Sequence, residues 1–136
     1  MRNKEKLQGC NNKLIAVLDY LDTEAKRNGY EVIVTSGKRD PATNKAAGGA
    51  PKSDHLDGNA ADFMYSDKPI AFAHITDLWA LVEKGKGVFA YVTKMEVVRD
   101  VIDKGKPTAR WANHIHFTAM PTLRTKPPIF FTGVYQ

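Results

Sequence analysis

Three side chains suited to holding one metal ion are spread widely along this chain, so any fold that uses them must bring two distant segments together. Ser53, His55, Gly58, Ala60 and Asp62 form the pattern S-x-H-x-x-G-x-A-x-D, and a second cluster, His114-Ile115-His116-Phe117, lies far downstream. A histidine and a carboxylate from one loop-strand segment, closed by a histidine from a distant strand, match a zinc site that leaves its fourth position to water. Such a donor set implies hydrolytic chemistry with one Zn2+ ion. Side chains alternate along a strand, so His114 and His116 share one face while Asn113, Ile115 and Phe117 share the other. With Asp62 on a neighbouring strand and the same face, His55, Asp62 and His116 converge at ligand distances of about 2.0–2.2 Å. Gly58 allows a tight backbone path between His55 and Asp62, and the small Ala60 and Ala61 let neighbouring elements approach closely.

The rest of the chain reads as a compact frame for that site. Its 136 residues fit one domain with a sizeable core, with the core over about 12–118 and an extended tail over about 119–136. Leu14, Val17, Leu18, Leu21 and Ala25 recur at helical spacing from about Asn12, and Gly29 stands where a left-handed C-cap is wanted. Residues 30–35 read as a strand ending at the turn signal Ser36-Gly37, which presents Arg39 just beyond the strand end. Asp40 and Pro41 open a short helix that Gly48-Gly49 stops, and the following loop delivers His55. Residues 60–64 read as a buried strand. Asp67 and Pro69 then open a helix carrying Ile70, Phe72, Ile75, Leu78, Trp79 and Val82 toward Gly85.

Periodicity leaves residues 88–102 open between helix and strand. Gly105-Lys106-Pro107 marks a turn before a strand over 110–118. Pro127 and Pro128 oppose a helix in the tail, which is expected to be extended and packed on the surface. Trp79 and Trp111 are expected in the core, and Asp54, Asp57 and His74 as solvent-facing or structural residues. The expectation is an α+β domain: a small antiparallel sheet, helices packed on one side and a zinc cleft on the open face.

Net charge is +5, which favours an anionic partner such as nucleic acid, a membrane surface or an anionic wall polymer without choosing among them, and equally suits a solvated basic surface. The single cysteine, Cys10, has no internal disulfide partner and reads as a bystander thiol. No stretch is apolar and long enough to span a bilayer, and Met1-Arg2-Asn3-Lys4-Glu5-Lys6 leads into a polar segment without a signal-peptide core. Cytoplasmic synthesis is therefore expected.

Thr35-Ser36-Gly37-Lys38-Arg39-Asp40-Pro41, Asn44, Gly48-Gly49-Ala50, the segment 53–62 and the His114-Ile115-His116 strand together resemble the zinc D-alanyl-D-alanine carboxypeptidases. That family includes the vancomycin-resistance D,D-dipeptidases and the L-alanyl-D-glutamate endopeptidases of phage endolysins, and shares its fold with the hedgehog signalling domain. The resemblance runs over about residues 14–117. Position by position it implies His55, Asp62 and His116 as zinc ligands. Arg39 is implied as a pocket guanidinium that stabilises a developing oxyanion or grips a substrate carboxylate, and Ser53 as a residue that contacts substrate or steadies the loop.

Many relatives hold Glu or Asp three positions before the last zinc histidine; here Asn113 stands there and cannot take a proton. His114 is then the expected general base, sharing the face of His116, as in relatives with His-x-His. The resemblance implies hydrolysis of peptide bonds next to D-amino acids in peptidoglycan, with a stem peptide as partner, no nucleic acid and no membrane insertion, by a monomer. A phage or prophage lysin released through a separate pore, or a virion-carried wall hydrolase, is the expected setting. Two other readings stand beside it: a non-catalytic zinc-binding module on the same fold, which Asn113 favours, and a metal-dependent nuclease, whose motifs the order and spacing here do not match.

Overall fold

The computed structural model describes residues 1–46, 53–66, 70, 72–99 and 113–134. Helix α1, Asn12–Arg27, begins where the Asn11 side chain accepts a hydrogen bond from the Leu14 backbone N–H at 2.9 Å, satisfying one orphan donor of the first turn. Leu14, Val17, Leu18, Leu21 and Ala25 form its buried stripe. Gly29, at φ 83°, takes the left-handed conformation just beyond its end. Strand β1, Val32–Ser36, leads into the short helix α2, Pro41–Ala46; strand β2, Ala60–Tyr65, and helix α3, Phe72–Lys84, follow. Helix α3 starts later than expected, leaving the buried Ile70 in an isolated bridge before it.

The ambiguous segment resolves into a 3-10 turn, Gly87–Tyr91, followed by strand β3, Val92–Arg99. Strand β4 is His114–Ala119 and β5 is Ile129–Val134. The turn expected at Gly105-Lys106-Pro107, the helix stop at Gly48-Gly49, Asp67, Pro69 and Trp111 lie outside the described residues.

The five strands are ordered β1-β2-β4-β3-β5. The first three pairings are antiparallel, as expected, but β5 adds to β3 in parallel. The tail is thus extended, and it forms an edge strand of the sheet. Pro127 and Pro128 precede that strand, where a missing N–H costs no ladder bond.

Helices α1 and α3 pack with Val32, Val34, Phe63, Met95, Val97, Ile115 and Phe117 in one core cluster. Phe63 and Phe117 stand at its centre, with ring centroids 5.3 Å apart in an edge-to-face arrangement. The residues that alternate with them, Asp62 on β2 and His114, His116 and Thr118 on β4, are thereby turned to the other side of the sheet.

Candidate metal centre

Asp62 and His116 are direct cross-strand partners on the adjacent antiparallel strands β2 and β4. Side chains at such positions lie about 4.5–5.5 Å apart at Cβ, so register alone makes them neighbours. His55 arrives from a 3-10 turn, Asp54–Asp57. The turn's N-cap Ser53 accepts from the His55 backbone N–H at 3.3 Å, and Gly58 ends it at φ 73°. Gly58 has no freedom to be another residue: beyond its left-handed φ, a Cβ there would collide with the Gly9 carbonyl. The turn is tied to the end of β1 by Arg39 N–H donating to the His55 carbonyl at 2.9 Å.

These elements bring His55, Asp62 and His116 together, with one ligand atom from each lying within 4.8 Å of the other two. His55 and Asp62 are buried and His116 half-buried. The rings of His55 and His116 are steeply inclined, at 74°, with centroids 5.0 Å apart. His55 Nε2 lies 3.4 Å and His116 Nδ1 2.9 Å from the same oxygen, Asp62 Oδ1.

The donors fit a zinc ion. His55 Nδ1 lies 2.8 Å from the Gly37 carbonyl; a carbonyl only accepts, so Nδ1 carries the proton and Nε2 presents a lone pair. That lone pair faces a carboxylate oxygen, an arrangement of two acceptors that a cation between them reconciles. Two imidazole nitrogens and one carboxylate oxygen, with a fourth position left open, make a donor set suited to catalytic zinc. Burial works to raise the Asp62 pKa, but the flanking His116 and His55 rings outweigh it and hold the carboxyl well below the usual carboxylate range.

The other expected residues border this cluster. Arg39 Nε donates to Ser36 Oγ at 2.9 Å, and a terminal guanidinium nitrogen lies 3.4 Å from Asp62 Oδ2, the oxygen turned away from the two imidazoles. Its side chain is mostly buried, at 16% exposure, so this is not an ordinary surface ion pair. His114 Nε2 lies 3.9 Å from the same Oδ2, while its Nδ1 is 2.9 Å from Asn113 Oδ1. With the amide oxygen accepting at Nδ1, Nε2 is the basic nitrogen turned toward the cluster. Burial pushes the His114 pKa below the ordinary histidine value, against the opposing pull of Asp62, which favours the neutral ring.

Thr118 and Lys94 escaped the sequence reading, and Asp54, read there as solvent-facing or structural, joins them behind His116. Thr118 Oγ1 is 3.1 Å from His116 Nε2 and 3.0 Å from Asp54 Oδ2, and Lys94 Nζ pairs with that Asp54 oxygen at 3.0 Å. Burial alone would raise Asp54, but Lys94 and the Thr118 hydroxyl hold its carboxyl below the usual range. Thr118 was within reach of the sequence, because the alternation that pairs His114 with His116 continues to it. The Asp54 contact, 64 residues away along the chain, carries no local signal.

No curated protein and no solved structure matches the chain significantly. The family model described as Peptidase M15 matches residues 1–93, a span that holds Arg39, Ser53, His55 and Asp62 and ends before β4. The match covers more than half of the chain, and β4 brings His116 against the matched His55 and Asp62: the chain belongs to the peptidase M15 family, whose members are zinc-dependent peptidases.

Proposed function

We propose that this chain is a single-domain zinc peptidase that cleaves peptide bonds next to D-amino acids in bacterial peptidoglycan. In this reading His55, Asp62 and His116 hold one Zn2+, His114 is the general base, and Arg39 and Ser53 contact the substrate. The observation that carries it is the convergence of two imidazoles and a carboxylate from three separate segments. Family membership and the resemblance of the 35–41 and 53–62 segments to cell-wall carboxypeptidases and endopeptidases support the substrate class.

When bound, zinc supplies Lewis acidity, polarising a carbonyl and lowering the pKa of water at the open position to about 7. The chain's own groups do the rest. His114 Nε2 accepts the proton of the attacking water and returns it to the departing amine. The Arg39 guanidinium, braced by Ser36, either stabilises charge on the carbonyl oxygen or grips a substrate carboxylate. Ser53 already orders the His55 turn, its hydroxyl accepting from the His55 backbone N–H.

Among the described residues, no helix is long and apolar enough to cross a membrane. A phage or prophage lysin, or a wall hydrolase carried on a virion, is the setting that suits this reading. The second reading, a zinc-bearing module without turnover, is favoured by Asn113 at the usual acidic position. Purified peptidoglycan incubated with the chain should release new amino groups, chelator should stop the release, and mass spectrometry of the muropeptides should locate the cut bond. Zinc retention without any release of amino groups would establish the second reading instead.

A further inference from the structure

We infer that Thr118, backed by Asp54 and Lys94, is a positioning device for His116: it fixes which ring nitrogen carries the proton and so which one faces the metal. The inference rests on the metal reading given above and extends it to residues behind the ligands. Lys94 donates to Asp54 Oδ2 at 3.0 Å, so that carboxylate is charge-paired and acts as an acceptor only. The Thr118 hydroxyl has one proton, and it is directed to the same Asp54 oxygen at 3.0 Å. Toward His116 Nε2, at 3.1 Å, Thr118 Oγ1 therefore presents only a lone pair. The ring answers with Nε2–H.

Nδ1 is then the nitrogen turned toward Asp62 Oδ1, at 2.9 Å, and toward the side where His55 Nε2 also points, so that a cation between these atoms takes its lone pair. Without this chain the hydroxyl would be free to donate to Nε2, which stabilises the opposite tautomer and places a proton where a ligand lone pair is needed. Thr118 is 3% exposed, so water does not readily replace it. The two histidines are thus set by different means. His55 is fixed by a backbone carbonyl, that of Gly37, which no side-chain substitution removes. His116 depends on a side-chain relay that single substitutions can cut.

The test is chelator-competition measurement of zinc affinity on the full chain, with long-range proton–nitrogen spectra of the His116 ring and thermal melting as the folding control. Thr118→Val keeps the shape and removes the hydroxyl. It should weaken zinc binding by about 10- to 100-fold, the range for lost ligand-orienting partners, and Thr118→Ser should restore it. In zinc-loaded wild-type chain, Nε2 should carry the proton and Nδ1 the metal.

A proton on Nδ1 in the zinc-loaded wild type, or wild-type zinc affinity in Thr118→Val, overturns the inference. Should Thr118→Val fail the melting control, Asp54→Ala decides, since it leaves Thr118 in place but removes its acceptor: unchanged zinc affinity overturns the inference, and a comparable loss supports it. A wild-type chain that takes up no zinc overturns the metal reading and the inference with it, whereas zinc uptake with unchanged affinity in Thr118→Val overturns the inference alone.

Discussion

Strand β4 serves two unlike surfaces with alternate residues. Ile115 and Phe117 face the helices and are wholly buried, whereas His114 and His116 face the donor cluster and are half-buried. The inward face is apolar and close-packed; the outward face gathers polar groups, and no buried side-chain nitrogen or oxygen lacks a partner among the described residues. The difference teaches that stability and chemistry are separable by residue while being locked together by register. A slip of one residue would exchange the faces, burying imidazoles in the core, so the packing of Phe117 against Phe63 also fixes the place of His116 opposite Asp62.

The sharpest way to break this comparison is at His116. His116→Ala should abolish zinc retention and peptidase activity together, with metal content and amino-group release as the measurements, while the melting temperature of the metal-free chain shifts little. A large loss of metal-free stability would mean that the outward face also holds the fold. Next in size is His114→Ala, which should retain zinc but lower kcat by about 10²–10⁴-fold, the usual contribution of a positioned acid or base; wild-type turnover would remove it as the base.

On the inward face, Phe117→Ala should cost about 3–5 kcal/mol in denaturant unfolding. The fraction that remains folded should still bind zinc. The smallest effect lies far from the site, at the buried Asp22, whose carboxylate pairs with Lys26 at 3.0 Å and accepts from the Val32 backbone N–H at 3.0 Å. Burial would raise its pKa, yet these partners lower it. A depressed folded-state value means stability that is present above the unfolded carboxyl pKa of about 3.9 and lost as pH falls through the folded one. Asp22→Asn should therefore destabilise the chain at neutral pH and flatten its acid-unfolding profile, leaving zinc affinity unchanged.

What the sequence disclosed follows how local each signal is. Helix α1 was legible because its stripe, its cap and Gly29 all lie within one stretch. The donors His55, Asp62 and His116 were legible because spacing and alternation fix their faces. Strand β3 was not, and the reason is a register shift between Val92 and Lys94. That shift places the buried Val92 and Met95 three apart, a helical interval, inside a strand. For β5 the prolines announced an extended chain, but nothing local names a parallel partner on β3. The Thr118–Asp54–Lys94 relay joins three elements, and only the folded sheet brings them together.

One consequence follows from where β4 sits. It comes after β1, β2 and β3 in the chain, yet it occupies the middle of the sheet, wedged between β2 and β3. During synthesis the loop and strand bearing His55 and Asp62 emerge first, and they hold only two donors of an unfinished clasp. Ion capture must wait until the late strand slots home, so a tightly held zinc would certify that the last central ladder has closed.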